Sequence, residues 1–90
     1  MREAYLQGIV ISRLRKEFGS DIWFEKISDR FKRGVPDILG GYRGRFFAME
    51  LKRPRGGRVA VVQSVTLGAI RDAGGLAVVI RGAEDIAAAI

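Results

Sequence analysis

The segment DILGGYRGRFFAMELK, residues 37–52, restricts the possible folds of this chain more than any other. A short apolar run is followed by the glycine-rich GGYRG, after which residues 45–52 alternate in hydrophobicity. A tight turn between two such runs is typical of a β-hairpin, and successive side chains of a strand point to opposite faces. We therefore predict a hairpin whose second strand carries Phe47, Met49 and Leu51 on one face, and Phe46, Ala48, Glu50 and Lys52 on the other.

An amphipathic helix and a further strand are predicted before this hairpin. Apolar residues three and four apart indicate a helix over residues 2–18, and Gly19 is a suitable residue to end it. Residues 21–27 are rich in β-branched and aromatic side chains, which favours a strand. A polar loop then leads to the hairpin.

Another helix, strand and helix are predicted after the hairpin. Residues 61–73 have helical spacing, with Val62 expected to face the core, and two glycines end the segment. The continuous apolar run of residues 76–80 is typical of a strand buried on both faces, so we place it in the middle of the sheet. Residues 84–90 predict a closing helix.

These elements predict an α/β fold in the order α-β-β-β-α-β-α. A mixed central sheet flanked by helices fits this order, and 90 residues without a linker form one domain, residues 1–90. A core this small often gains stability from a second subunit, so self-association is expected.

Composition limits the possible chemistry. With neither cysteine nor histidine, any metal must be held by oxygen ligands, which suit Mg²⁺ or Mn²⁺. The net charge of +6 favours a polyanionic partner such as nucleic acid, although small basic domains can simply be soluble. The chain contains no apolar run long enough for a signal peptide or membrane span, so we expect it to act in the cytoplasm.

Two carboxylates and a lysine stand where the predicted hairpin begins and ends. Asp37 opens the first strand, and the return strand brings Glu50 back to the same end. Adjacent like charges are costly unless a cation lies between them, and the carbonyl of Leu51 could be a third oxygen ligand. Lys52 could then orient the attacking water or stabilise a charged transition state. Taken alone, Pro-Asp more often marks a turn, and Glu-X-Lys more often marks an ion pair at a strand edge, than a catalytic site.

GVPD (34–37), MELKRP (49–54) and Gln63 together resemble the PD-(D/E)XK nuclease superfamily and, within it, the virus-type replication-repair nuclease (VRR-NUC) domain. The resemblance implies a restriction-endonuclease-like fold, with Asp37 and Glu50 as metal ligands, Lys52 as the catalytic lysine and Gln63 beside the site. It also matches Glu3 to an acidic position near the metal. Both residues also have a non-catalytic explanation: Glu3 suits the first turn of a helix, and Gln63 could be an ordinary exposed helix residue. The segment RVAVVQ lacks the family's Ser or Thr and Pro before the glutamine helix.

Basic residues flank the proposed site on both sides. We expect them to contact phosphates independently of sequence, and no groove-reading helix or base-stacking platform is evident, so shape rather than sequence would be recognised. These residues are Arg30, Lys32, Arg33, Arg53, Arg55 and Arg58.

The leading hypothesis is a Mg²⁺- or Mn²⁺-dependent DNA endonuclease without a small-molecule cofactor. The resemblance further implies a structure-selective homodimer, similar to Holliday-junction resolvases, acting on branched DNA. Two alternatives stay open: a non-catalytic or partner-dependent nucleic-acid-binding module with the same fold, and a small protein-interaction domain in which the motif is incidental.

Overall fold

The computed structural model describes residues 2–28 and 33–89 of the chain. Three α-helices, four strands and one turn of 3₁₀-helix follow one another in the predicted order α-β-β-β-α-β-α. The helices are α1 (Glu3–Phe18), α2 (Val61–Asp72) and α3 (Asp85–Ala89), the strands are β1 (Ile22–Lys26), β2 (Ile38–Tyr42), β3 (Arg45–Leu51) and β4 (Leu76–Ile80), and the 3₁₀ turn is Gly19–Asp21. None of the described helices combines the length and the apolar character needed to cross a membrane.

Helix α1 covers one face of the sheet. Leu6, Val10 and Leu14 lie four residues apart on a single helical stripe, and all three are fully buried. They form one core cluster with residues from the opposing strands, including Ile38, Phe47, Met49 and Leu51. The helix ends as predicted at Gly19, whose φ of 52° is in the left-handed region that favours glycine.

The predicted hairpin is formed by β2 and β3. Its tight turn places Arg43 and Gly44 at positive φ, 47° and 82°, a backbone twist that matches the right-handed twist of the flanking strands. The Asp21 carboxylate accepts a 3.0 Å hydrogen bond from Arg43. Strand β2 extends to Tyr42, so the reversal is shorter than the whole glycine-rich segment.

The described strands form a mixed sheet in the order β1-β2-β3-β4, in which only β3 and β4 pair in parallel. Our prediction that residues 76–80 lie in the middle of the sheet is therefore wrong, because β4 is an edge strand. Its apolar run reflects cover on both faces instead: Ala77 packs against Leu67 of α2, whereas Ile80 joins the core beneath α1. A strand can be covered on both faces by helices and still pair with one strand only.

Helix α2 crosses over the second face of the sheet, above β3 and β4. Leu67 is buried and Ile70 packs beside it, together with Ala48 and Ala77. The expectation that Val62 faces the core is wrong, since 39% of its surface is exposed. The residues of α2 that face the sheet are instead Gln63, Leu67 and Ile70, which are four and three residues apart. This stripe is shifted by one residue from the predicted one, so the polar side chain of Gln63 lies at the end of β3.

Candidate active site

Asp37 and Glu50 meet at the open end of the hairpin. Ile38 and Met49 form the last pair of the β2–β3 ladder, so the next residue of each strand comes opposite the other. The Asp37 carbonyl accepts a hydrogen bond from Ile27 at 2.8 Å, and its carboxylate Oδ2 accepts one from the backbone N–H of Leu51 at 2.7 Å. The first bond ties the Asp37 backbone to the end of β1, and the second holds its side chain against the end of β3.

Glu50 is the buried charged residue of the described chain, with 2% of its surface exposed. Its Oε1 accepts a 3.0 Å hydrogen bond from Gln63 Nε2 and lies 3.6 Å from Lys52 Nζ. Its Oε2 is buried and has no hydrogen-bond partner among the described residues. An ionised Asp37 carboxylate is itself an acceptor and cannot supply the missing donor.

The surroundings of Glu50 strongly favour its protonated form. Burial, together with the negative charge of the neighbouring Asp37, raises the pKa of Glu50 to about 8, and Lys52 opposes this shift. Desolvation and a like charge each disfavour a second carboxylate. Glu50 is therefore either protonated at neutral pH or offset by a positive charge beside it.

The residues present fit a hard divalent cation. The orphaned Glu50 Oε2 offers a buried acceptor, and Asp37 adds a second carboxylate beside it. The N–H and C=O of a strand residue point to the same side, so the Leu51 carbonyl also faces the Asp37 side of β3. Over residues 2–28 and 33–89, no three acidic side chains come close enough to form a metal site by themselves. Glu3 lies exposed in the first turn of α1, and its role stays a prediction.

Gln63 connects the start of α2 to Glu50. Its Oε1 accepts a 2.9 Å hydrogen bond from the N–H of Ala60, the residue that caps the helix, while its Nε2 donates to Glu50. An N–H on one side and a carboxylate on the other fix the orientation of the amide group. Half of a capping box is present, because Ala60 has no side-chain acceptor. Gln63 thereby satisfies the N–H of Ala60, whereas no side chain takes the place of the missing Ser or Thr cap.

Lys52 follows directly after β3 on the Glu50 side of the strand. Its backbone N–H donates to the Ile80 carbonyl at 3.0 Å, which anchors the chain to β4. The separation of 3.6 Å between its Nζ and Glu50 Oε1 is an ion-pair distance and exceeds an ordinary hydrogen bond. The ammonium group is thus held beside the carboxylate pair.

Gly34 brings the Pro-Asp segment against α2. Its φ is +84°, and an added Cβ would lie 2.9 Å from Val62 Cγ2 and 3.0 Å from Thr66 Oγ1. Any larger residue would combine backbone strain with a clash against the helix that carries Gln63. The glycine of the GVPD motif therefore sets the distance between the segment before Asp37 and α2.

The basic loop after Lys52 is held in place by Arg81, a residue that our sequence analysis missed. Arg81 Nη1 donates to the carbonyls of Arg53 at 2.9 Å and Gly57 at 2.8 Å. Strands β3 and β4 are parallel, so the segments following them emerge at the same end of the sheet. The sequence signal that could have identified Arg81 is its position directly after the apolar strand β4.

Four of the predicted phosphate contacts are exposed around this end of the sheet. They are Arg33, Arg53, Arg55 and Arg58. The other two, Arg30 and Lys32, lie outside the described residues.

Comparison with known proteins identifies the fold. Neither the family models nor the curated protein sequences contain a match to this chain. A solved structure described as a VRR_NUC domain superimposes with a TM-score of 0.72, covering 94% of this chain and 89% of that one. This chain has the fold of a VRR_NUC domain. At 20% sequence identity the VRR_NUC likeness establishes the fold alone, and it agrees with the predicted mixed sheet flanked by helices.

Proposed function

We propose that this protein is a Mg²⁺- or Mn²⁺-dependent DNA endonuclease. One observation carries the proposal: Asp37 and a fully buried Glu50 share one end of a hairpin, beside Lys52, with one Glu50 oxygen lacking any partner in the described chain. Burying the Glu50 carboxylate beside a second carboxylate destabilises a fold unless a positive charge offsets them. The VRR_NUC fold supports a nuclease-type domain.

In this proposal Asp37, Glu50 and the Leu51 carbonyl hold the cation. When bound, the ion supplies positive charge that offsets the charge developing on a phosphodiester, and it acidifies water. Gln63 keeps Glu50 in position through its Nε2. Lys52 orients the attacking water or stabilises the negative charge of the transition state, since the chain offers no histidine for this task.

DNA is the proposed substrate because of the charge around the site. Arg33, Arg53, Arg55 and Arg58 surround the end of the sheet where Asp37 and Glu50 meet, and Arg81 holds part of their loop. Such contacts read the backbone and not the bases, which favours recognition of a branched structure. Arg30 and Lys32, which lie outside the described residues, are proposed from the sequence to add phosphate contacts.

A homodimer is proposed because it would align two such sites for paired cuts. The outward side of α2 supports this: Val61 is 81% exposed, and Val65, one turn further, is exposed as well. Val65→Asp should therefore lower the native mass from dimer to monomer in light scattering without unfolding the protein. A wild-type protein that is monomeric at all concentrations would contradict the dimer and leave the nuclease untouched.

The test of activity compares a labelled four-way DNA junction with linear duplex, in Mg²⁺, Mn²⁺ or EDTA. We expect wild type to cut the junction in symmetric pairs when a metal is present, and Asp37→Asn to bind it without cutting. Preference for duplex would contradict structure selectivity only. Binding without cleavage by both proteins, in either metal, would indicate a binding module and overturn the proposed function.

A further inference from the structure

Two exposed aromatic side chains flank a glycine in a row across three strands. Trp23 of β1 pairs with Gly41 of β2, and Gly41 pairs with Phe46 of β3. Trp23 is 65% exposed and Phe46 is 47% exposed, although both lie on a sheet. They line an apolar groove of about 570 Å³ on the part of the sheet face that α2 leaves open.

The neighbouring glycines of β2 differ in what the fold requires of them. A Cβ on Gly40 would lie 2.8 Å from both Phe24 Cβ and a ring carbon of Phe47, so packing demands glycine there. A Cβ on Gly41 would meet one atom within 4 Å among the described residues, the Arg45 carbonyl oxygen at 3.8 Å, and its φ is not in the positive region. Neither aromatic ring folds over Gly41, so the space between them stays open.

The dimensions of this space suit a planar ring. Neighbouring strands lie about 4.8 Å apart, which places the Cα atoms of Trp23 and Phe46 about 9.6 Å from each other. A ring stacked on both aromatic side chains needs about 7 to 8 Å, at 3.5 to 4.0 Å between stacked carbon atoms. A side chain on Gly41 would occupy the same place.

The groove lies on the same sheet face as the candidate active site. Asp37 and Gly41 are four residues apart along β2, and side chains of alternate residues share a face, so Gly41 is about 13 Å from Asp37. Duplex DNA covers that distance in about four base-pair steps. Arg45, tied to the Gly74 carbonyl at 3.3 Å, and Glu25 also line the groove.

We propose that Trp23, Gly41 and Phe46 form a binding site for an unpaired nucleobase of the DNA substrate. The inference rests on the proposed nuclease function and adds to it a preference for branched DNA with a single-stranded arm, because such an arm presents unpaired bases. The carboxylate of Glu25 in the groove disfavours a phosphate there but accepts hydrogen bonds from amino groups of a base. Stacking on aromatic side chains is a common way to bind single-stranded DNA.

Trp23 is the single tryptophan of the chain, so its fluorescence reports directly on the groove. The non-cleaving Asp37→Asn protein would be titrated in Mg²⁺ with a short single-stranded oligonucleotide and with a fully paired blunt duplex. Fluorescence anisotropy of the labelled DNA measures binding in parallel. We expect the single strand to quench Trp23 and the duplex to bind with little quenching.

Gly41→Val fills the groove with a side chain that strands accommodate well. We expect it to abolish quenching and weaken single-strand binding by about 5- to 150-fold, with duplex binding unchanged. Phe46→Leu should weaken the same binding while retaining an apolar side chain. Tyr5→Ala is the matched control, because Tyr5 is as exposed as Trp23 but lies on α1, across the sheet.

Three outcomes would overturn the base site. Single strands could bind without quenching, Gly41→Val could bind them like the parent protein, or Trp23 fluorescence could shift with protein concentration in the absence of DNA, which would show a second copy in the groove. In each case junction cleavage by wild type would leave the nuclease proposal standing. If no DNA binds by anisotropy, both proposals fail.

Discussion

The sheet face that carries the candidate active site has two halves, which differ in cover. Over β3 and β4, α2 buries Leu67 against Ala48 and Ala77 and brings Gln63 to Glu50. Over β1 and β2, the aromatic side chains of Trp23 and Phe46 remain exposed beside an open glycine. We call the part over β3 and β4 the packed half and the part over β1 and β2 the open half.

The difference teaches how one small sheet can hold chemistry and still contact a large substrate. A helix over the packed half removes water from Glu50, which raises its pKa and makes a cation favourable. A second helix over the open half would bury Trp23 and stabilise the fold, but it would also block access from that side. Each half thus supports a different step of the proposed function.

Replacing Lys52, in the packed half, should have the largest effect on cleavage. We expect Lys52→Ala to reduce cleavage of junction DNA by about 10²- to 10³-fold, because one charged group aimed at the transition state is removed. Binding in an anisotropy assay should stay within about threefold. Lys16→Ala, at an exposed position of α1, is the control. An equal loss of binding and cleavage in Lys52→Ala would show that the lysine serves affinity and not catalysis.

The stability of the metal-free protein should fall as pH rises from about 4.5 to 8. Folded Glu50 titrates near 8 and the ordinary carboxyl near 4.5, so between these values the folded state holds a proton that the unfolded state has released. Urea unfolding should register a loss of roughly 2 to 4 kcal/mol across this window. Excess Mg²⁺ should flatten the profile, and Glu50→Gln should remove it. A flat profile for the metal-free wild type would contradict the raised pKa.

Gln63 tests whether helix capping and the site are coupled. Gln63→Leu loses both bonds of the amide and should cost about 1 to 3 kcal/mol of unfolding free energy. Gln63→Glu keeps an acceptor for the Ala60 N–H but sets a third carboxylate against Glu50, so without metal it should be destabilised as well. Gln63→Leu should lower the apparent Mg²⁺ affinity in cleavage by about 10- to 100-fold, since it lacks the amide donor to Glu50. Unchanged Mg²⁺ affinity of Gln63→Leu would show that Glu50 needs no such support.

Alanine substitutions at the adjacent Gly40 and Gly41 should differ in their effect on stability. Gly40→Ala should cost about 3 kcal/mol or more, because its Cβ would overlap the backbone carbonyl of Trp23 and crowd Phe24 and Phe47. Gly41→Ala should leave the free energy of unfolding within about 0.5 kcal/mol or raise it, since space is open and alanine restricts the unfolded chain. Thermal and urea unfolding of both variants would measure this. Equal destabilisation would mean that Gly41 is structural and that the open half is not reserved for a ligand.

Much of the site could be predicted because it depends on one hairpin. The turn in GGYRG and the alternation of residues 45–52 were sufficient to bring Asp37 opposite Glu50. The motif resemblance implied that Gln63 lies beside the site, but not its hydrogen bond to Glu50, and periodicity alone pointed to Val62 as the inward residue. The position of Arg81 directly after a strand could have marked the residue, but its bond to the Arg53 carbonyl could not be predicted, since that bond depends on where two loops meet.

The sequence by itself determined the order of helices and strands, the hairpin and the Asp37–Glu50 juxtaposition, because these depend on periodicity and turn chemistry within short stretches of chain. Tertiary structure alone decided that β4 is an edge strand, that α2 turns Gln63 inward, and that Trp23 and Phe46 stay uncovered around Gly41. An apolar pattern specifies which faces prefer burial. Which neighbour covers each face depends on the packing of elements that are distant along the chain.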